Sequence, residues 1–203
     1  MQKFFHQIRK LKANSFTLVE LLVVISIIGL LAGLAVPAIQ GGLDKAKQQV
    51  DVSNIRQCGL IAFGYANDSE GSYFGTNSSY TSTAYFTNMI NLGLLTSTKI
   101  LSGNGYTAAT STNNITANNI AWAVNGPLTS SDDGLLPLFL SKNIGTTALA
   151  SNVSLASATN SWKSKGLVVY RIGNSAEFLR ADNSKNVSLG IASNATGATL
   201  STQ

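Results

Sequence analysis

The most chemically loaded position in the chain is an acid in apolar surroundings. Glu20 is followed by nineteen positions, Leu21 to Ile39, that carry no charge. A carboxylate held at membrane depth costs roughly 2.5–3.5 kcal/mol on insertion scales, so such a residue reads as functional and in want of a cationic partner. The competing reading is an acid close enough to a helix end to snorkel toward water. Asp132 and Asp133, followed by Gly134, form a second acidic group. They could contribute to a Ca²⁺ loop, but adjacent acids without spaced ligands are the pattern of a solvated turn, and no metal is assigned. Cys58 is the sole cysteine, which rules out a disulfide within the chain, and its place beside Leu60 and Ile61 marks a buried structural thiol. The sole histidine is His6, in a basic leader, so the rest of the chain offers no His-based triad or His-ligated metal. With neither a phosphate-binding glycine loop nor paired catalytic carboxylates, the sequence indicates a protein that is not an enzyme and holds no cofactor.

The element that must position Glu20 is the stretch 16–40, FTLVELLVVISIIGLLAGLAVPAIQ. A helix from Phe16 to Ile39 is about 36 Å long, enough to cross a hydrocarbon core of about 30 Å. Pro37 lacks a backbone donor, and Gly41 and Gly42 follow closely, so this helix should kink or hinge there unless the three residues simply end the span. Charge placement gives orientation. Lys3, Arg9, Lys10 and Lys12 lie in the first fifteen positions, where there is no acid; without them ten basic residues face nine acidic ones. The basic flank would stay cytoplasmic, and the body has no electrostatic footprint for nucleic acid. A cleaved secretory signal with its cut near Ala38 is the alternative, weakened by the length of the apolar run, by Glu20 and by Pro37 at the cut.

These residues resemble the class III signal of type IV pilins and of the pseudopilins of type II secretion systems. The likeness rests on a short basic leader, a cut directly before Phe16, TLVE with Glu20 fifth in the mature chain, and Pro37 at mature position twenty-two. Ser15 stands where the family usually has glycine. The resemblance implies that a membrane prepilin peptidase cleaves between Ser15 and Phe16 and methylates the Phe16 amine. It also implies that Glu20 pairs with the Phe16 amine of a neighbouring subunit, whose charge methylation preserves. Such a pair sets register more than affinity, because a mismatched register strands a buried charge at about 3–5 kcal/mol. The implied partners are other pilins or pseudopilins in a helical filament, the prepilin peptidase, an inner-membrane assembly platform and membrane lipid before assembly. The implied location is a bacterial inner membrane, with the leader cytoplasmic and the head periplasmic or extracellular, and then a pseudopilus or surface pilus.

Beyond the glycines, Leu43, Ala46, Val50, Cys58, Ile61 and Tyr65 fall on one stripe at three- and four-residue steps, while Asp44, Lys45, Lys47, Gln48 and Asp51 point elsewhere. Residues 54–74 are similar to the end of the long pseudopilin helix, and Asn67, Asp68 and Gly71 should stop it near Asn67. A short helix over Thr87–Leu92 ended by Gly93, a strand over Ile120–Val124, a turn at Asn125-Gly126-Pro127 and a buried piece over Leu135–Leu140 follow. GLVVYRI at 166–172 and AEFLR at 176–180 flank Gly173-Asn174-Ser175 as a hairpin, and Asn186–Ile191 should add a third strand. The last dozen residues should fray. The expected fold class is α+β: a long N-terminal helix, membrane-spanning in its first half and amphipathic in its second, packed on a C-terminal antiparallel β-sheet head. Four segments result: the leader 1–15, the apolar helix 16–40, its amphipathic continuation 41–66, and a head 67–203 with a β-meander. The function expected is a filament subunit. Its alternative is a membrane-anchored or secreted protein that binds surfaces or glycans through its Asn/Thr-rich head.

Overall fold

The computed structural model describes residues 16–73, 81–145, 149–156, 162–191 and 199–201. The chain divides into two compact units, Met1–Asp44 and Lys45–Gln203. Helix α1, Leu18–Asp68, runs through both. The predicted leader 1–15 lies outside the described residues.

In the first unit every residue from Phe16 to Leu43 is exposed. The helix is long and apolar enough to cross a membrane. It continues through Pro37, Gly41 and Gly42.

In the second unit one face of α1 is buried: Asp51, Ile55, Cys58, Gly59, Ala62 and Ala66. The predicted stripe is turned by about one position. Leu43, Ala46 and Val50 are exposed, Ile61 and Tyr65 half-buried, and Asp51, expected to point elsewhere, is buried. Small residues decide the rotation. Ala62 and Ala66 form one core with Tyr85, Phe86, Phe139 and Tyr170, and Gly59 lies directly against the Tyr170 ring. The helix ends as expected, at Asp68, where Glu70 and Gly71 adopt positive φ and the Gly71 N–H donates to the Ala66 carbonyl at 2.8 Å.

Helix α2, Ser82–Asn91, begins five residues before the expected one, because Thr81 caps it by accepting from the Ala84 N–H at 3.1 Å. Gly93, at φ 71°, ends it as expected.

The strands are β1 (Trp122–Gly126), β2 (Pro137–Ser141), β3 (Asn152–Ser154), β4 (Gly166–Arg171), β5 (Ala176–Arg180), β6 (Asn186–Ser188) and β7 (Thr199–Ser201). Five form an antiparallel sheet in the order β5-β4-β2-β1-β7, and β3 pairs with β6 in a separate two-stranded sheet. The fold is thus α+β with an antiparallel sheet. Asn125 and Gly126 lie inside β1, so the expected turn begins only after them. The β4–β5 hairpin forms as expected, with Asn174 at φ 61° in its loop.

The expected meander does not form. After β5, Asp182 turns the chain by accepting from the Asn186 N–H at 2.8 Å, and β6 pairs with β3 instead of β5. The reason is that both faces of the large sheet need cover. Along β4, Val168 and Tyr170 join the core with the helices, whereas Leu167 and Val169 join a second core with Val153, Val187, Leu189 and Ile191. A strand buried on both faces also explains the unbroken apolar run at 167–170. The fraying expected of the last residues is corrected at 199–201, which pair with β1 in the register Gly126↔Thr199, Asn125↔Leu200, Val124↔Ser201.

Candidate assembly segment and its helix cap

The first turn of α1 is closed by two side chains. The Thr17 N–H and hydroxyl both donate to Glu20 Oε2, at 2.9 and 2.8 Å, and the Glu20 N–H donates to Thr17 Oγ1 at 3.2 Å. Thr17 is therefore the N-cap and Glu20 the third helical residue of a reciprocal capping box, which satisfies donors a helix start otherwise leaves open. A negative side chain in the first turn also suits the helix dipole. Glu20 is thus held back toward the chain start, on Thr17, which with Phe16 precedes the helix. The sequence reading assigned Glu20 a partner in another chain and missed this local one, although Thr-x-x-Glu before an apolar run is its signature.

Further along, Ser26 donates its hydroxyl to the Leu22 carbonyl at 2.7 Å, so the one polar side chain between Leu21 and Ile39 is satisfied within its own helix. Pro37, Gly41 and Gly42 occupy the same helix, and a Cβ on either glycine would meet nothing within 4 Å. Ser15 lies outside the described residues.

The acidic pair behaves as turn chemistry. Asp132 Oδ2 accepts from the Thr129 N–H at 2.7 Å and the Thr129 hydroxyl at 3.1 Å, and Asp133 Oδ1 accepts from the Leu135 N–H at 3.0 Å. Among the described residues no group of three or more His, Cys, Asp or Glu could hold a metal ion. Cys58 is fully buried, its thiol donates to the Ile100 carbonyl at 3.5 Å, and burial pushes its pKa upward, the inert end of thiol behaviour.

The apolar helix opening on a capped acid, preceded by a basic leader, is matched by a family model. Residues 10–36 match the model described as the prokaryotic N-terminal methylation motif. The chain is also similar to the type II secretion system core protein G of Aeromonas hydrophila, 49% identical over 47 residues, which are 23% of this chain and 33% of that protein. The match thus spans a third of the length of this curated relative. No solved structure matches the chain significantly. The resemblance to type IV pilins and type II secretion pseudopilins read from Glu20, Pro37 and the leader is borne out over the methylation motif. The motif contains Ser15, Phe16, Thr17 and Glu20 and ends one residue before Pro37.

Proposed function

We propose that this protein is a structural subunit of a type II secretion pseudopilus or a related type IV pilus-like filament. One observation carries the reading: a match to an N-terminal methylation motif at 10–36 whose apolar helix is exposed from Leu18 to Leu43 and carries a single acid up to that point. In this reading a prepilin peptidase cuts between Ser15 and Phe16 and methylates the new amine. The subunit waits in a bacterial inner membrane with its leader cytoplasmic, and an assembly platform adds it to a filament of like subunits. Glu20 then meets the Phe16 amine of a neighbour, exchanging its bonds to Thr17 for an ion pair. Because burying both charges costs nearly what their attraction returns, the pair chooses the register. Pro37, Gly41 and Gly42 serve as a hinge, since Pro37 leaves a backbone bond unmade. The protein performs no catalysis of its own.

Intact-mass measurement of membrane-extracted protein, made in cells that contain the peptidase, tests the reading. The expected species begins at Phe16 and carries one added methyl group. A chain that begins at Met1 or beyond Ala35 sinks it.

A further inference from the structure

We propose that Thr17 is a positioning residue for cleavage of the Ser15–Phe16 bond: with Glu20 it fixes the start of α1 at Leu18 and so keeps that bond out of the helix. The inference rests on the processing proposed above. Hydrolysis adds one water across the Ser15–Phe16 amide, leaving a carboxylate on Ser15 and a free amine on Phe16. A peptidase reaches such a bond only where the backbone is not already committed to helical hydrogen bonds, which is why cleavage favours exposed irregular segments. Phe16 and Thr17 are exposed and non-helical, and the first helical residue is Leu18.

The helix start is a choice among competitors. Asn14 and Ser15 are both residue types that cap helices well. A cap at Ser15 would make Phe16 the first helical residue, and a cap at Asn14 would make it the second; either draws the scissile bond into the first turn. Three residues after Asn14 stands Thr17, and three after Ser15 stands Leu18, so neither can form a box with a glutamate. Thr17 has Glu20 and makes all three hydrogen bonds of the reciprocal arrangement. It also has apolar residues at the two positions of a hydrophobic staple, Phe16 just before the cap and Leu21 at the fourth helical position. The glutamate thus acts before cleavage as well as after it. It holds the cap that presents the bond whose hydrolysis creates the amine.

The test uses the full-length chain in membranes with the prepilin peptidase, with leader removal followed by pulse-chase and cut position by intact mass. Thr17→Val keeps the shape and removes the oxygen, whereas Thr17→Ser and Thr17→Asn keep a capping oxygen. Thr17→Val is expected to be cut roughly fivefold more slowly, the factor that corresponds to loss of a typical N-cap, with Thr17→Ser and Thr17→Asn within about twofold of wild type. Nuclear magnetic resonance of the uncleaved chain in micelles should place the helix start at Leu18 in wild type and at or before Phe16 in Thr17→Val. Wild-type cleavage of Thr17→Val overturns the proposal, as does an unmoved helix start in that variant. Slow cleavage of Thr17→Asn also overturns it, by showing that the peptidase reads the side chain itself. A wild-type chain left uncut at Ser15–Phe16 instead sinks the underlying processing reading.

Discussion

Trp162 donates its indole N–H to Asp51 Oδ2 at 2.8 Å, joining positions 111 residues apart. The same carboxylate accepts the Asn104 N–H at 3.0 and 3.2 Å and is only 4% exposed. One acid on α1 therefore ties the helix to two loops of the second unit. Burial raises the Asp51 pKa, against the lowering effect of its bonds from Asn104 and Trp162. A folded pKa above the unfolded value of about 3.9 means that the folded state binds the proton more tightly. The contribution to stability is then fully present below the unfolded value and lost as pH rises through the folded one. We expect unfolding temperature to rise on acidification across that window in wild type and to lose this component in Asp51→Asn, measured by thermal denaturation in detergent. Asp51→Ala, which strands the buried Trp162 N–H and the half-buried Asn104 N–H, should cost about 2–4 kcal/mol at neutral pH.

Gly59 lies against the ring of Tyr170, whose atoms occupy the place a Cβ on Gly59 would need. Tyr170 is itself fixed by its hydroxyl, which donates to Asn174 at 2.5 Å. Gly59→Ala should therefore destabilise the second unit by about 1–3 kcal/mol despite the gain in helix propensity. Combining it with Tyr170→Leu should recover part of the loss relative to the sum of the single changes, read from denaturant unfolding as a double-mutant cycle. Strict additivity would contradict the packing described.

Asn143 commits both of its side-chain donors and its side-chain oxygen to hydrogen bonds. Its amide donates to the Lys163 and Gly166 carbonyls, each at 2.8 Å, and its oxygen accepts from Ser141 at 2.7 Å. The Ser141 hydroxyl in turn accepts the Val168 N–H at 3.0 Å. This network shapes the turn that delivers Trp162 to Asp51. Asn143→Ala should cost about 2–3 kcal/mol and raise hydrogen exchange at residues 162–165 ahead of that in β4. Uniform exchange across both segments would count against the assignment.

The parts of this fold that were legible are those written in local pattern. The charge-free run 21–39, the acid before it, the stop near Asp68 and the hairpin around Asn174 all rest on spacing or turn chemistry within a few residues. Asp51 was misplaced because a charged residue on a helix defaults to solvent, and the donors that satisfy it arrive from Asn104 and Trp162, far along the chain. The fates of β6 and β7 were illegible for a related reason. A three-residue strand carries no periodicity of its own, and its partner is chosen by which sheet face or edge still needs cover. At the candidate site the acid was found readily, while the residue that holds it, Thr17, passed unnoticed within the same four letters.

The hydroxyl of Ser26 closes on its own helix, so the side chains of 21–39 present no open hydrogen-bonding group to their surroundings. For such a surface, hydrocarbon and the flank of another apolar helix are nearly equivalent solvents, and transfer between them has little hydrophobic preference either way. The exception lies in the backbone, where Pro37 offers no donor to the Gly33 carbonyl four positions earlier. Any preference between the two environments is therefore set by the backbone around Pro37 and by how closely the surroundings pack against it.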